Sequence, residues 1–209
     1  MLDTRFPRVP GDIGNPATFD FPVRYKTVQG ASPQRVVREP DAALLQPFID
    51  AGLGLVAEGA SAITTSCGFL VPFQHRLQAA LPVRVWSSSL LLLHGFEHAG
   101  VVTADAAALG ADHLLAAGAD AQTPVEGLST GCAFQKTLLN DLPTLDTHDA
   151  LLQVVGAAQR LLARHPALTD IVLECTNMPP YADAVRRATG VRVHDITTLI
   201  TERFDALPN

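Results

Sequence analysis

The sequence predicts an α/β fold of two pseudo-symmetric lobes, each a mostly parallel sheet flanked by helices, with a cleft between them. Three observations predict it. Short apolar runs alternate with stretches of helical spacing along the 209 residues, the pattern of a parallel sheet covered by helices. The chain matches itself when residues 108 positions apart are compared, the separation of Cys67 and Cys175. Both of these cysteines end a strand-like run and precede a helical one.

In chain order, Asp41 to Glu58 has helical spacing. Proline belongs at the first helical position, so Pro47 places a short turn before it and the main helix after it, closed by Gly59. Strand-like runs follow at Ser61 to Ser66, Val83 to Trp86, Gly100 to Thr103, Ile171 to Glu174 and Val191 to His194. Residues 120–146, with Thr130-Gly131-Cys132 and Pro143, fit neither template. From there Leu151, Val154, Val155, Ala158, Leu161 and Leu162 recur at i, i+3, i+4 behind Thr147 as N-cap, and Pro166 ends the run.

The internal repeat organises these elements. Ile63 pairs with Ile171, Cys67 with Cys175, Pro72 with Pro180, Phe73 with Tyr181, Val83-Arg84-Val85 with Val191-Arg192-Val193, and Phe96 with Phe204. Any two βαβ units share apolar matches of this kind. They do not share a cysteine and a proline in register. One lobe is expected over 1–97 together with a C-terminal helix over 196–209, and the other over 98–195. Under the same offset the counterpart of the Gly100 to Thr103 strand falls before Met1, so either the lobes differ by a gap there or the first strand begins upstream.

Composition narrows the partners. Hydrophobic residues are 47% and charged residues 17% of the chain, which excludes a disordered segment. A formal net charge of −6 argues against a nucleic-acid partner, whose phosphates call for a basic face. The longest stretch free of Asp, Glu, Lys and Arg, Gly59 to His75, is 17 residues long and carries Thr64, Thr65, Ser66 and Gln74, so no membrane span is expected. Asp3, Arg5 and Arg8 open the chain where a secretory signal would place an apolar run. Three cysteines do not suggest a disulfide framework, and free thiols in the cytoplasm are the expectation. A small-molecule substrate follows, with a homo-oligomer left open. The histidines show no metal-ligand spacing, so no metal is expected.

Cys67 and Cys175 at equivalent strand ends carry the chemistry. In open α/β sheets ligands bind at the carboxyl ends of strands, beside helix N-termini that lower a thiol's pKa. Two thiols facing one cleft from opposite sides suit inversion of a stereocentre, one acting as base and the other as acid on a carbon next to a carboxylate or carbonyl. Donors to the developing enolate oxygen would come from Ser66, Gly68, Thr176 and Asn177 beside the cysteines, and from Thr103 at the end of the second lobe's first strand. Arg5 and Arg8 in the N-terminal loop are candidates to clamp a carboxylate, and Asn15 of that loop joins the substrate-binding set. Cys132 has no counterpart at the offset and reads as structural.

Cys175-Thr176-Asn177 after an apolar strand, the tail from Asp183-Ala184-Val185 through Gly190 to Asp195-Ile196, and Cys67 at a strand end together resemble the aspartate/glutamate racemase superfamily. That superfamily also contains hydantoin racemases, maleate isomerases and arylmalonate decarboxylases. The resemblance covers essentially the whole chain. It implies two pseudo-symmetric lobes, no metal or organic cofactor, and the cysteines as the acid/base pair. Amino-acid racemases of the family carry Asn-Thr after the first cysteine, whereas this chain has Gly68-Phe69-Leu70, and residues 3–16 replace their Gly-rich first loop. The expected activity is therefore an isomerase, a cofactor-independent racemase or epimerase of a small chiral carboxylate or carbonyl compound other than aspartate or glutamate. A lyase or cis-trans isomerase on the same scaffold, or a non-catalytic small-molecule binding protein, is the alternative.

Overall fold

Residues 108 positions apart occupy equivalent places in two parallel sheets. The computed structural model describes residues 1–204 and 206–207. Strand β1 (Ala62–Thr64) pairs with β2 (Arg84–Trp86), Ala62 opposite Arg84 and Thr64 opposite Trp86. Strands β3 (Ala99–Thr103), β4 (Val125–Gly127), β5 (Asp170–Leu173) and β6 (Arg192–His194) form the second sheet in the order β4-β3-β5-β6, all parallel. There Asp170 lies opposite Arg192 and Val172 opposite His194, so the register of the β1–β2 pair recurs unchanged.

The helices extend the correspondence. Helices α1 (Leu45–Ala57) and α2 (Gln74–Ala80) flank the first sheet; α4 (Ala133–Leu139), α5 (Thr147–Arg164) and α6 (Ala182–Thr189) belong with the second, while α3 (Ala111–Ala116), between β3 and β4, packs on the turn Gly68–Phe73 of the first lobe. A 3-10 turn ends at Phe73 before α2, and another ends at Tyr181 before α6, again 108 positions apart. The αL conformation of Gly190, φ 74°, closes α6, a position that favours glycine. Helix α7 (Ile196–Phe204) packs Ile196, Leu199 and Ile200 onto Ile13 and onto Leu92 of the 3-10 turn Ser89–Gly95. The expected helix over 196–209 is thus seen to Phe204, while Asp205, Pro208 and Asn209 lie outside the described residues.

One apolar core lies under α5 in the second lobe; the other runs from the first lobe into the second, taking in Ala99 and Val101 of β3 and Val172 of β5. Helix α5 buries Ala150, Val154, Ala157, Ala158 and Leu161 against Val102, Ile171 and Leu173 of the second sheet. Burial of one Leu or Ile side chain of this kind stabilises by about 1.5–3 kcal/mol. The other core gathers Leu45, Phe48, Ile63, Leu70, Leu77 and Val85. Pro47 sits in the first turn of α1, where its missing N–H leaves no intrahelical bond unmade.

Two expectations need correction. The N-cap of α5 is Asp146, whose carboxylate accepts from the N–H groups of His148 and Asp149, and Thr147 is the first helical residue. The unassigned stretch 120–146 contains β4 and α4, the latter capped by Cys132, whose sulfur accepts from the Gln135 N–H. Among the described residues no helix is long and apolar enough to cross a membrane.

The sheets differ at one edge. β5 has neighbours on both sides, β3 and β6, whereas its counterpart β1 has, among the described residues, β2 alone. A cavity of about 350 Å³ lies along the other edge of β1, between Gly59–Ser66 and the segment 21–26.

Candidate active site

Both cysteines sit where their strands end. Cys67 is extended and caps the turn Gly68–Phe73; Cys175 follows β5 and leads toward α6. The backbone N–H of Phe69 points at the Cys67 sulfur and that of Asn177 at the Cys175 sulfur, positions again related by the offset. Both cysteines border one cavity of about 30 Å³ between the lobes, together with Ser66, Gly68, Glu174, Thr176 and Asn177. That volume matches the share of one water molecule in the liquid. The cover is apolar and comes from Leu2 and Phe6 of the N-terminal segment and from Leu138 and Leu139 of α4.

Hydrogen bonds lock the lobes together around this point. The Thr176 hydroxyl donates to the Ser66 carbonyl at 2.7 Å, and the Ser89 hydroxyl donates to the Leu173 carbonyl at 2.8 Å. Asn177 donates to Asp12 at 2.5 Å, and Arg8 pairs with the other oxygen of Asp12 at 3.1 Å, so the N-terminal loop is held over the second cysteine. The Cys175 thiol donates to the Asn177 side-chain oxygen at 3.5 Å.

The electrostatics oppose thiolates. Burial, then the negative charge of Glu174, pushes the Cys67 thiol up to about 12. The same two causes raise Cys175 well above its usual value, with the neighbouring Cys67 adding to the effect. Glu174 is itself fully buried and lifted to about 7 by burial, against the opposing bond from the Thr103 hydroxyl. The positive helix end anticipated beside each sulfur does not outweigh this desolvation.

The substrate-binding candidates separate into two groups. Ser66, Gly68, Thr176 and Asn177 border the cavity. Thr103 stands behind it, donating to Glu174 at 2.7 Å. Arg5 lies outside: its backbone N–H and guanidinium bond to Asp141, and its side chain is 69% exposed. Asn15 folds the N-terminal loop, donating to the Arg8 carbonyl and accepting from the Ala17 N–H. Arg8 is committed to Asp12 and Thr4 and lies over the Phe6 ring. Among the described residues no group of three or more His, Cys, Asp or Glu side chains is placed to share a metal ion. The residue that the sequence reading missed is Glu174. Its signal was present: a carboxylate closing the apolar run Ile171-Val172-Leu173, one position before a cysteine already singled out.

Similarity to known proteins bears on what this arrangement does. No protein-family model matches the chain. A dimethylsulfoniopropionate lyase of Durusdinium sp. clade D is 32% identical over 212 residues, covering 93% of this chain and 69% of that protein. The chain belongs to the dimethylsulfoniopropionate lyase family. Dimethylsulfoniopropionate lyases 7 and 6 of Emiliania huxleyi are each 30% identical over 99% of the chain, which spans 65% and 58% of their lengths. Among solved structures, arylmalonate decarboxylase superposes with a TM-score of 0.56 at 18% identity, covering 79% of this chain and 76% of that one. A double mutant of the same decarboxylase in liganded form reaches a TM-score of 0.59 at 17% identity, covering 89% and 82%. These neighbours establish the racemase-like fold.

The relatives overturn the expected racemase or epimerase activity: they are lyases, and the isomerase assignment falls with it. The reason is chemical. Removing a proton next to a carboxylate is the first step of both inversion and elimination, so a thiol pair at the strand ends does not distinguish them. That the family consists of enzymes acting on a small molecule stands.

Proposed function

We propose that this chain is a cofactor-independent lyase that cleaves dimethylsulfoniopropionate into dimethyl sulfide and acrylate. The observation that carries this reading is the 32% identity to the Durusdinium lyase over 93% of the chain. The geometry supports it with a cavity at the lobe interface bordered by groups able to hold and move a proton.

In this substrate the carbon next to the carboxylate bears the acidic hydrogen and the following carbon bears the dimethylsulfonium group. A base removes the α-hydrogen, the freed electron pair forms the carbon–carbon double bond, and the carbon–sulfur bond breaks with its pair moving to sulfur. Dimethyl sulfide leaves neutral and needs no acid, so one base suffices. We assign that role to Cys175, because the hydrogen bond to Asn177 fixes its sulfur whereas Cys67 has no side-chain partner among the described residues. In this assignment the N–H groups beside the sulfurs, the Ser66 hydroxyl and the second amide N–H of Asn177 hold the substrate carboxylate as charge develops on it, the Thr176 hydroxyl being given to the Ser66 carbonyl. A cavity of about 30 Å³ is smaller than the substrate, so Phe6, Leu138 and Leu139 must give way on entry.

The test is headspace detection of dimethyl sulfide from purified protein and dimethylsulfoniopropionate. Turnover is expected for the unaltered chain, a fall of about 10²-fold or more in kcat for Cys175→Ala, and a much smaller one for Cys67→Ala. Absence of dimethyl sulfide from the folded, unaltered chain would refute the reading, and equal loss in the two variants would refute the assignment of one base.

A further inference from the structure

Glu174 supplies the one carboxylate that borders the cavity between the lobes, and the elimination described above does not use it. Its side chain is enclosed completely, with Oε2 accepting from the Thr103 hydroxyl at 2.7 Å. Oε1 has no hydrogen-bond partner among the described residues. That oxygen faces Gly68, which also borders the cavity: a Cβ on residue 68 would stand 2.2 Å from it, so glycine leaves the oxygen uncovered on that side. A buried acceptor without a donor is costly and calls for an explanation.

Among the described residues no free cation of the chain answers it. On β3 its neighbour is the neutral Thr103; the turn after β1 brings Cys67; β5 leads into Cys175; the turn Ser89–Gly95 brings the Ser89 hydroxyl, 3.4 Å from the Glu174 backbone carbonyl. From the N-terminal loop come Arg8 and Asp12, paired with each other. The rest of the cavity is divided by chemistry. Donors gather at the strand ends: the N–H groups of Phe69 and Asn177 and the Ser66 hydroxyl, which accepts from the Leu2 N–H and has no acceptor of its own among the described residues. Leu2, Phe6, Phe69, Leu138 and Leu139 are apolar. A ligand that suits this lining carries an anionic group for the donors and a cation for Glu174. An ammonium would bring three N–H donors to a single open carboxylate oxygen and leave the others buried without acceptors. A sulfonium brings none, and its methyl groups suit the apolar side chains.

We propose that Glu174 is the counter-ion of the substrate's dimethylsulfonium group and gives the site its preference for a cationic over a neutral ligand. Carboxylate and sulfonium attract by charge alone, which is what an oxygen with no hydrogen-bond donor beside it can offer, and the attraction is strong in a cavity shut off from water. The same charge distinguishes substrate from product. As the carbon–sulfur bond breaks its electron pair moves to sulfur, dimethyl sulfide is neutral, and the hold of Glu174 on it is gone. The attraction therefore contributes more to substrate binding than to the transition state, in which the positive charge is already fading. The identity of the cation rests on the lyase reading; the preference for a cation without N–H groups beside this carboxylate stands apart from it.

Calorimetry at pH 8, above the value of about 7 to which burial lifts Glu174, tests this with two probes. One is the trimethylammonium analogue of the substrate; the other is its tert-butyl analogue, of the same shape and without the charge. The unaltered chain should bind the cationic probe about 30-fold or more tightly than the neutral one. Glu174→Gln, with folding checked by thermal unfolding, should lose that preference and bind the neutral probe as the unaltered chain does. Equal binding of the two probes by the unaltered chain, a result that needs no variant, would overturn the proposal. So would a loss in Glu174→Gln shared equally by both probes, the mark of a structural role. In turnover, the KM for dimethylsulfoniopropionate should rise about 30-fold or more in the variant while kcat stays within about threefold or rises. A fall in kcat at unchanged KM would overturn the proposal by placing the carboxylate in the chemical step. A chain that makes no dimethyl sulfide but shows the Glu174-dependent preference refutes the lyase reading and keeps the cation site. A chain that makes dimethyl sulfide without the preference refutes the site and keeps the lyase reading.

Discussion

Gly68 and Glu174 face each other so closely that the sequence of one lobe depends on that of the other. A Cβ at position 68 would meet Oε1 of Glu174 at 2.2 Å and its backbone oxygen at 2.6 Å. The side chain can swing away; the carbonyl, which belongs to the strand end, cannot. Gly68→Ala is therefore expected to destabilise by about 1–3 kcal/mol through overpacking and to displace the first cysteine's turn. Thermal unfolding together with the dimethyl sulfide assay checks this, and an unchanged melting temperature would mean that the lobes separate easily at this point. The cysteines were legible because they recur at a fixed offset behind matching strands. Glu174 was not, because its offset partner is Ser66, and a comparison that looks for likeness passes over a place where the lobes differ. Arg5 was over-read: a loop arginine resembles a carboxylate clamp in sequence, but Asp141, 136 positions away, claims it.

At the scale of elements, what sequence periodicity revealed was length. Helix α5 runs 18 residues with five buried apolar side chains at regular spacing, enough turns for the pattern to repeat. Strand β4 has three residues and α4 seven, and a pattern needs more than that to be recognised. The missed boundary of α5 is a capping matter. Asp146 and Thr147 are both good N-caps by type, and the carboxylate wins by accepting from two backbone N–H groups at 3.0 Å each. Asp146→Ala is expected to cost about 1 kcal/mol, and Thr147→Ala well under half of that, in chemical denaturation midpoints at constant slope. The reverse order would move the helix start by one residue. The same helix places Asp149, which accepts from the Phe134 N–H at the start of α4, so the cap also steadies one side of the cavity cover.

The molecule as a whole responds to pH through its buried carboxyl groups, and two of them act in opposite senses. Asp170, nearly fully buried at the start of β5, is held well below the usual carboxylate range, chiefly by the Arg192 guanidinium at 2.6 and 2.7 Å and then by His194 at 2.9 Å. Its contribution to stability is present above its ordinary value near 4 and fades as pH falls below that. Glu174 behaves inversely. Its carboxyl, lifted from 4.5 to about 7 by burial, binds the proton more tightly in the folded chain than in the unfolded one. Stability is then greatest below about pH 4.5 as far as this group is concerned and declines as pH rises through 7, by about 3 kcal/mol. Glu174→Gln should accordingly melt at a higher temperature than the unaltered chain at pH 8 and at a similar one at pH 5. A difference independent of pH would assign the effect to packing. The overall architecture was legible because the repeat carried strand, turn and helix in register. The activity was not, since fold and first proton transfer are common to racemases and lyases.

The side of β1 that has no strand neighbour among the described residues, and faces a cavity instead, has a consequence for handling the protein. A strand paired on one side only offers a row of main-chain donors and acceptors to any other chain that approaches in extended form, the usual seed of aggregation. Two exposed ion pairs stand near that side, Arg24 with Glu58 at 3.6 Å and Lys26 with Glu58 at 3.9 Å, and charge of this kind is what discourages such contact. Salt weakens exposed pairs of this sort. The chain should therefore stay in solution at higher concentration in dilute buffer than in strong salt, against the habit of adding salt to keep a protein soluble.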